Sequence, residues 1–420
     1  MAEHSLNSRH FIPLFIAQTL GALNDNLFKN ALVILALYRL SPGQASALSA
    51  LSGGLFLLPY ILVSAPAGQL ADAHDKARLI LWTKYWELGL TVLALIGFLT
   101  GDFPFLLAVL LGLGLQAAFF SPLKYGLLPE LFAADQLIKA NGGIEAGTFA
   151  GIVVGTVAGG ILILLPHGRL LTPAVAILLA LVGLASAKII PPTSPASPGL
   201  KPDWNFWRAN VVLLSTARAN RRVWFACWGI SWFWVMGATV LAAFPVLARV
   251  LLHADGHVAT LLLTVFAVGV GGGSLVAARF VHARNLLHFV LPAGLGMSLF
   301  IGDFALSAEH LLAPDVQSLL SQAAGCRALF DLALTAICGG LFSVPFYVLL
   351  QTSAAPGERA RMVGANNVMN SIGVLLAGGI EALAYTKGAG PANVLAVAAL
   401  LNLVVVAWIW RVQTVFLKSV

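Results

Sequence analysis

Hydrophobic residues fill this chain in twelve long runs parted by short polar breaks, at about 11–38, 46–71, 79–100, 104–128, 138–165, 170–190, 223–249, 257–281, 286–305, 323–351, 361–385 and 392–415. Each run reaches the roughly 20 residues that a helix needs to cross a hydrocarbon core of about 30 Å. Backbone amides find no water at that depth and must bond within the helix, so the pattern predicts an all-α membrane protein with twelve transmembrane helices. The opening residues, MAEHSLNSRH, lack the succession of basic, apolar and small residues that marks a signal peptide. The first run is also too long and too polar for one, so it is read as a retained helix.

Composition supports this reading: 59% of the 420 residues are hydrophobic and 10% are charged, too few polar groups to cover a soluble globule. A net charge of +7 would suit a nucleic-acid partner only if the basic residues shared a patch. They alternate between loops instead, which excludes that partner. With both termini inside, the inner side holds Arg9; Lys76, Arg78 and Lys84; Lys139; Lys188, Lys201, Arg208, Arg218, Arg221 and Arg222; Arg279 and Arg284; Arg359 and Arg361; Arg411 and Lys418. The outer loops hold only Arg39, Arg169, Arg249, Arg327 and Lys387. The positive-inside rule therefore predicts a multi-pass protein with both termini cytoplasmic. Cys326 and Cys338 fall on one helix, about 18 Å apart at 1.5 Å per residue, beyond disulfide reach. All three cysteines read as small hydrophobes.

The hydrophobic pattern breaks at PPTSPASPGLKPD, residues 191–203, where proline and serine end any helix. This divides the chain into a six-helix half over 1–190, a cytoplasmic linker over 191–222 and a second six-helix half over 223–420. The linker's WNFWRANVVLLSTARANRR, residues 204–222, combines Trp204 and Trp207 with several arginines, as an interfacial amphipathic helix does; the alternative is a disordered basic loop. An internal repeat supports the division. FFSPLKYGLLPELFAADQLIKANGG at 119–143 aligns with LFSVPFYVLLQTSAAPGERARMVGANN at 341–367, and AGGI recurs at 158–161 and 377–380. Six spans separate the copies, so both cross in the same direction, a parallel repeat.

Between the second and third spans, GQLADAHDKARL at 68–79 resembles the major facilitator signature of Gly, Asp four residues later, then basic residues. Gly68, Asp72, Lys76 and Arg78 are the matching positions. The resemblance implies a major facilitator fold in which Asp72 sits at the N-terminal end of the eleventh span, where the helix dipole favours a carboxylate, and latches the cytoplasmic side. The second-half copy, GGGSLVAARFVHAR, has lost the acid.

Charges within a span are costly, by about 2.5–3.5 kcal/mol each on insertion scales, and tend to face a cavity or a partner. On the first helix Gln18, Asp25 and Lys29 fall within roughly 40° of one another, with Asn26 and Asn30 beside them. The fourth span adds Gln116 and Lys124, the fifth Asn141, Glu145 and Thr148, and the eleventh Asn366, Asn370 and Glu381 flanked by Asn367 and Ser371. In the major facilitator arrangement the first, fourth, seventh and tenth helices line the cavity, which implies that Asp25, Lys29 and Lys124 face it and that Glu145 and Glu381 lie near the seams. The plainer alternatives are an Asp25–Lys29 pair at i, i+4 that neutralises itself, and a Lys124 that snorkels to the inner interface. Lysines suit a phosphate and carboxylates an ammonium, but the same groups suit proton coupling. Trp224, Trp228 and Trp232 form a stripe on the seventh span, read as an interfacial belt and packing surface, or as a box for a cationic headgroup.

GALNDNLFKNALVIL at 21–35, DWNFWRAN at 203–210, GISWFWVMGATVLAAFP at 229–245 and RARMVGANNVMNSIG at 359–373 together resemble the lysophospholipid transporters of Gram-negative bacteria, a branch of the major facilitator superfamily that also occurs fused to acyltransferase and acyl-carrier-protein ligase domains. The resemblance runs from residue 10 to about residue 385. It implies a flippase of the bacterial inner membrane that moves lysophosphatidylethanolamine-type lipids from the outer to the inner leaflet for re-acylation, with lateral lipid entry. It also implies a separate acyltransferase or acyl-carrier-protein synthetase as partner, and a substrate role for Asp25, Lys29 and Lys124. The alternative transporter is a proton-coupled exporter of drugs, siderophores or other amphiphiles, with Asp25 or Glu145 carrying the proton. An enzyme is not expected: the nine histidines lie in loops or near helix ends, and no G-x-S-x-G motif occurs. No cofactor is expected either. The outer acids Asp303, Glu309, Asp315 and Asp331 read as solvated.

Overall fold

The computed structural model describes residues 10–282 and 286–417; Arg9, Arg284, Lys418 and His4 lie outside the described residues. Among the described residues fourteen α-helices follow one another: α1 Phe11–Arg39, α2 Pro42–Ala73, α3 Lys76–Thr100, α4 Phe103–Leu131, α5 Ala134–Leu164, α6 Gly168–Ala187, α7 Phe206–Ala219, α8 Arg221–Val250, α9 Gly256–Phe280, α10 Val290–Ala308, α11 Val316–Ser321, α12 Ala323–Ser353, α13 Arg359–Thr386 and α14 Pro391–Leu417. Eleven of them are long and apolar enough to cross a membrane. The 29-residue α1, which carries Asp25, Lys29 and three asparagines, is the twelfth long helix among the described residues. Side chains fix several helix starts: Asp75 accepts from the Ala77 amide, Asp102 from Phe105, Asn205 from Arg208, and Asp255 from His257 and Val258, satisfying donors that have no partner within the helix.

The chain separates into two compact units. The first comprises Met1–Trp228 and Val348–Ile372. Here α1 packs along α5, α2 on α4, and α3 on α6. The α1–α5 contact rests on glycines at four-residue spacing: Gly147 faces the Thr19 and Phe15 side chains, and Gly151, Gly155 and Gly159 admit the α1 backbone so closely that a Cβ on Gly155 would overlap the Leu23 carbonyl oxygen. Small residues drive helix association where lipid gives no hydrophobic incentive. Phe28, Leu32, Phe98, Leu110 and Leu113 fill the space behind.

The expected amphipathic helix is α7, and the linker before it is strapped to α2. Thr193 donates its amide to Asp75, the Ser197 amide donates to the Asp72 carbonyl, and the Asp203 amide donates to Gln69 Oε1 at 2.6 Å. Arg208 hydrogen-bonds the Asp203 carboxylate at 2.8 Å and holds it below the usual carboxylate range. Ala209, Asn210, Leu213 and Ala217 face inward while Trp207 and Val211 stay exposed. Proline and serine end the preceding helix as the sequence implies, yet the segment is held by specific hydrogen bonds along its length.

The second unit comprises Gly229–Tyr347 and Gly373–Val420. α10 packs on α14, with Asn402 donating to the Gly294 carbonyl at 2.7 Å and to Ser298 Oγ at 2.8 Å. Gly273 of α9 meets the Ile337 backbone of α12 as Gly114 of α4 meets Phe56 of α2. The same helix pairings thus recur six spans apart, as a parallel repeat requires. Trp232 is committed to Asn402 at 2.7 Å. Two outer acids depart from the solvated reading: Arg327 binds Asp303 through both Nε and Nη2, and Asp331, one turn along α12, is buried beside them. A cation on α12 gives these carboxylates a local partner. Cys227, Cys326 and Cys338 are all free thiols.

Candidate substrate site

The first unit gathers charge inside its own helices. Asp25 and Lys29 lie on α1, both half-buried, and Lys124 on α4 is 9% exposed. Asp25 interacts electrostatically with Lys29, Lys84, Lys124 and Glu87, and Lys124 in turn with Glu145. No ion pair within 4 Å joins Asp25 to Lys29, and the buried Asp25 Oδ1 has no hydrogen-bond partner. Lys29 and Lys124 stand over aromatic rings instead, 5.8 Å from the Phe56 centroid and 4.7 Å from that of Tyr125.

The polar neighbours divide by task. Gln18 donates to Thr148 Oγ1 at 2.8 Å and Asn30 to the Thr156 carbonyl at 2.5 Å, both tying α1 to α5. Asn26 bonds back to the Ala22 carbonyl on its own helix. Glu145 accepts a 2.5 Å hydrogen bond from the Tyr125 hydroxyl. Asn141 and Gln351 exchange reciprocal carboxamide bonds of 2.7 and 3.0 Å, and Gln351 also donates to the Tyr125 carbonyl. Asn141 is thereby occupied as an interhelical tie. On α13, Asn366 is buried, Asn370 half-buried, and Asn367 accepts from Ser121 at 3.1 Å. Glu381 accepts from Tyr385, one turn away on the same helix.

Two charged residues deep in this cluster escape a reading of the sequence. Lys84, which charge counting assigns to the inner loops, sits within α3 with its Nζ 2.6 Å from Glu87 Oε2, both side chains at most 2% exposed. Asn24 donates to Glu87 Oε1 at 3.3 Å, and Gln116 reaches Glu87 and the Thr83 carbonyl. Lys84 falls within the stretch near a span end where positive-inside counting absorbs basic residues. The signal available is Lys and Glu at i, i+3 inside one hydrophobic run, WTKYWELGL.

At the C-terminal end of α2, Asp72 accepts from the Ala360 and Arg361 amides at 3.1 Å each and from Arg361 Nε at 3.2 Å, at the start of α13. A carboxylate there meets unsatisfied amides and the positive end of the helix dipole. Gly68 makes the approach possible, since a Cβ on it would stand 2.8 Å from Arg361 Cα. Lys76 pairs with Glu130 at 2.5 Å. Arg78 is exposed and forms no ion pair within 4 Å among the described residues.

The sequence profile of the Major Facilitator Superfamily matches residues 12–378. A lysophospholipid transporter LplT of Citrobacter koseri is 31% identical, with 97% of each chain covered. Its counterpart from Salmonella paratyphi B is also 31% identical, over 91% of this chain and 90% of that one. Among solved structures, the human organic anion transporter TETRAN superposes with a TM-score of 0.74 at 14% identity over 96% of this chain and 99% of that one. The Escherichia coli fucose:proton symporter FucP gives 0.71 at 15%, over 96% and 98%. At those identities the structural likeness establishes the fold alone.

Proposed function

Because the chain belongs to the lysophospholipid-transporter branch of the Major Facilitator Superfamily, we propose that it moves lysophospholipids across the bacterial inner membrane, carrying lysophosphatidylethanolamine-type lipids from the outer to the inner leaflet. The observation that supports this most is the grouping of Asp25, Lys29 and Lys124 in one electrostatic cluster, with Asp25 Oδ1 left without a hydrogen bond. A zwitterionic headgroup supplies what such a cluster lacks: a phosphate for the lysines through charge-assisted hydrogen bonds, and an ammonium for the carboxylate. In bare hydrocarbon the same headgroup would lose its water with nothing in exchange.

The single acyl chain stays in lipid while the headgroup passes through the site, and alternating access exposes that site to each leaflet in turn. Asp72, held by the first amides of α13, acts as the cytoplasmic latch, with both termini on that side. A separate acyltransferase or acyl-carrier-protein synthetase consumes the delivered lipid. The test is uptake of labelled lysophosphatidylethanolamine by spheroplasts lacking their own transporter. Uptake that depends on this protein supports the reading; absence of uptake by the correctly inserted protein overturns it, and uptake of other amphiphiles driven by a proton gradient would favour the exporter instead.

A further inference from the structure

The Lys84–Glu87 pair is the closest ion pair in the cluster and touches no group assigned to substrate. The pair, on α3, lies against Gly21 of α1: a Cβ there would stand 2.7 Å from Lys84 Nζ and 3.7 Å from Glu87 Oε2. Gly21 and Asp25 are four residues apart, neighbours on one helix face, and Asn24, next to Asp25, hydrogen-bonds Glu87 directly. The pair therefore lies one helical turn from the Asp25 carboxylate. Both members of the pair, Glu87 and Lys84, act electrostatically on Asp25. Phe120 closes another side, its ring centroid 4.8 Å from Lys84 Nζ.

A lysine this close to an aspartate inside a membrane would ordinarily become its counter-ion, since an unpaired buried charge is costly. Here Glu87 holds the Lys84 ammonium at 2.6 Å. Asp25 is left with an open oxygen, and neither Lys29 nor Lys124 comes within ion-pair distance of it. Glu87 thus keeps the ammonium-binding position vacant of the protein's own ammonium.

We propose that Lys84 and Glu87 are positioning residues that set headgroup selectivity, Glu87 withholding Lys84 from Asp25 so that the carboxylate remains available to the ammonium of a zwitterionic lysophospholipid. The inference rests on the lysophospholipid reading above. Without the Glu87 charge, Lys84 turns to Asp25, the ammonium loses its partner, and the site gains a net positive charge that favours anionic headgroups. Without the Lys84 charge, two carboxylates face the ammonium and repel the phosphate of an anionic lipid. With both neutral, the site regains the charge balance of the parent.

The experiment compares uptake of lysophosphatidylethanolamine and lysophosphatidylglycerol, which share a phosphate and differ in the ammonium. It uses spheroplasts expressing the full chain, Glu87→Gln, Lys84→Gln or the double variant at matched membrane levels. The ratio of kcat/KM for the first lipid over the second should fall about tenfold in Glu87→Gln, a modest effect for a unit charge displaced within several ångströms. It should rise in Lys84→Gln and return to within about twofold of the parent in the double variant. If Glu87→Gln does not accumulate, the opposite shift in Lys84→Gln and the return in the double variant carry the test. An unchanged ratio in the folded single variants, or equal losses for both lipids throughout, overturns the inference and leaves the pair structural. Failure of the parent to take up either lipid instead overturns the lysophospholipid reading, so the two failures are distinct.

Discussion

The side chain of Asn210 donates to the carbonyl oxygen of Leu62 at 3.2 Å, the one carbonyl in that turn of α2 that Pro66 leaves without its helical donor. Proline has no amide hydrogen and so removes the bond to the residue four before it. Asn210 also donates to the Ile61 carbonyl at 2.8 Å. The linker helix α7 is thereby fastened at a point where α2 lacks one of its own helical bonds.

Replacing Asn210 by alanine leaves the Leu62 carbonyl unpaired next to a buried contact. The expected loss of stability is about 1–3 kcal/mol, the desolvation cost of an unsatisfied buried polar group. Thermal unfolding in detergent measures it, and limited proteolysis of the 191–222 linker should accelerate in parallel. Equal proteolysis of parent and variant would show that other contacts hold the strap.

The glycines of α5 give a packing prediction. In Gly155→Ala the added methyl would overlap the Leu23 carbonyl, and overpacking of this kind typically costs about 1–3 kcal/mol. Gly54→Ala on α2, where a Cβ meets nothing within 4 Å, is the matched control for the helix-propensity gain of Ala over Gly and should not lower the unfolding temperature. A Gly155→Ala protein as stable as this control would mean that α1 and α5 are less tightly apposed than described.

At the α2–α13 contact, Asp72→Ala removes the acceptor for both Ala360 and Arg361 amides and the partner of the Arg361 guanidinium. Transport should slow by about tenfold, within the usual range of conformational coupling, while equilibrium binding of lysolipid to purified protein persists, because Asp72 lies outside the charged cluster. Loss of binding together with transport would place Asp72 in substrate recognition.

Much of the fold is legible because the membrane imposes a one-dimensional code. Helix bounds follow from where apolar runs end, and the first helix, expected over 11–38, spans Phe11–Arg39. Asp25, Lys29 and Lys124 stand out because charge inside a span is rare. What the sequence hides are partners distant along the chain. Asn141 looks like a cavity-lining amide, but Gln351, 210 residues away, occupies it; Trp232 looks like part of a stripe, but Asn402, 170 residues away, fixes its indole. Lys84 is disguised differently, by lying close enough to the α2–α3 loop to be counted with it. The Pro/Ser-rich linker reads as a break between halves because its composition forbids helix, and composition carries no record of the hydrogen bonds that Ser197 and Asp203 make to α2 and its end.

The central claim, that the α1 charges receive a lysophospholipid headgroup, is tested most directly by uptake of labelled lysophosphatidylethanolamine into spheroplasts lacking their own transporter, comparing the parent with Asp25→Asn at matched membrane levels. This substitution keeps the shape of the side chain and removes the charge that pairs with the ammonium. The expected result is robust uptake by the parent and a loss of at least about tenfold in the variant, in keeping with removal of one charge-assisted contact. Parent-level uptake by a folded Asp25→Asn protein would contradict the account.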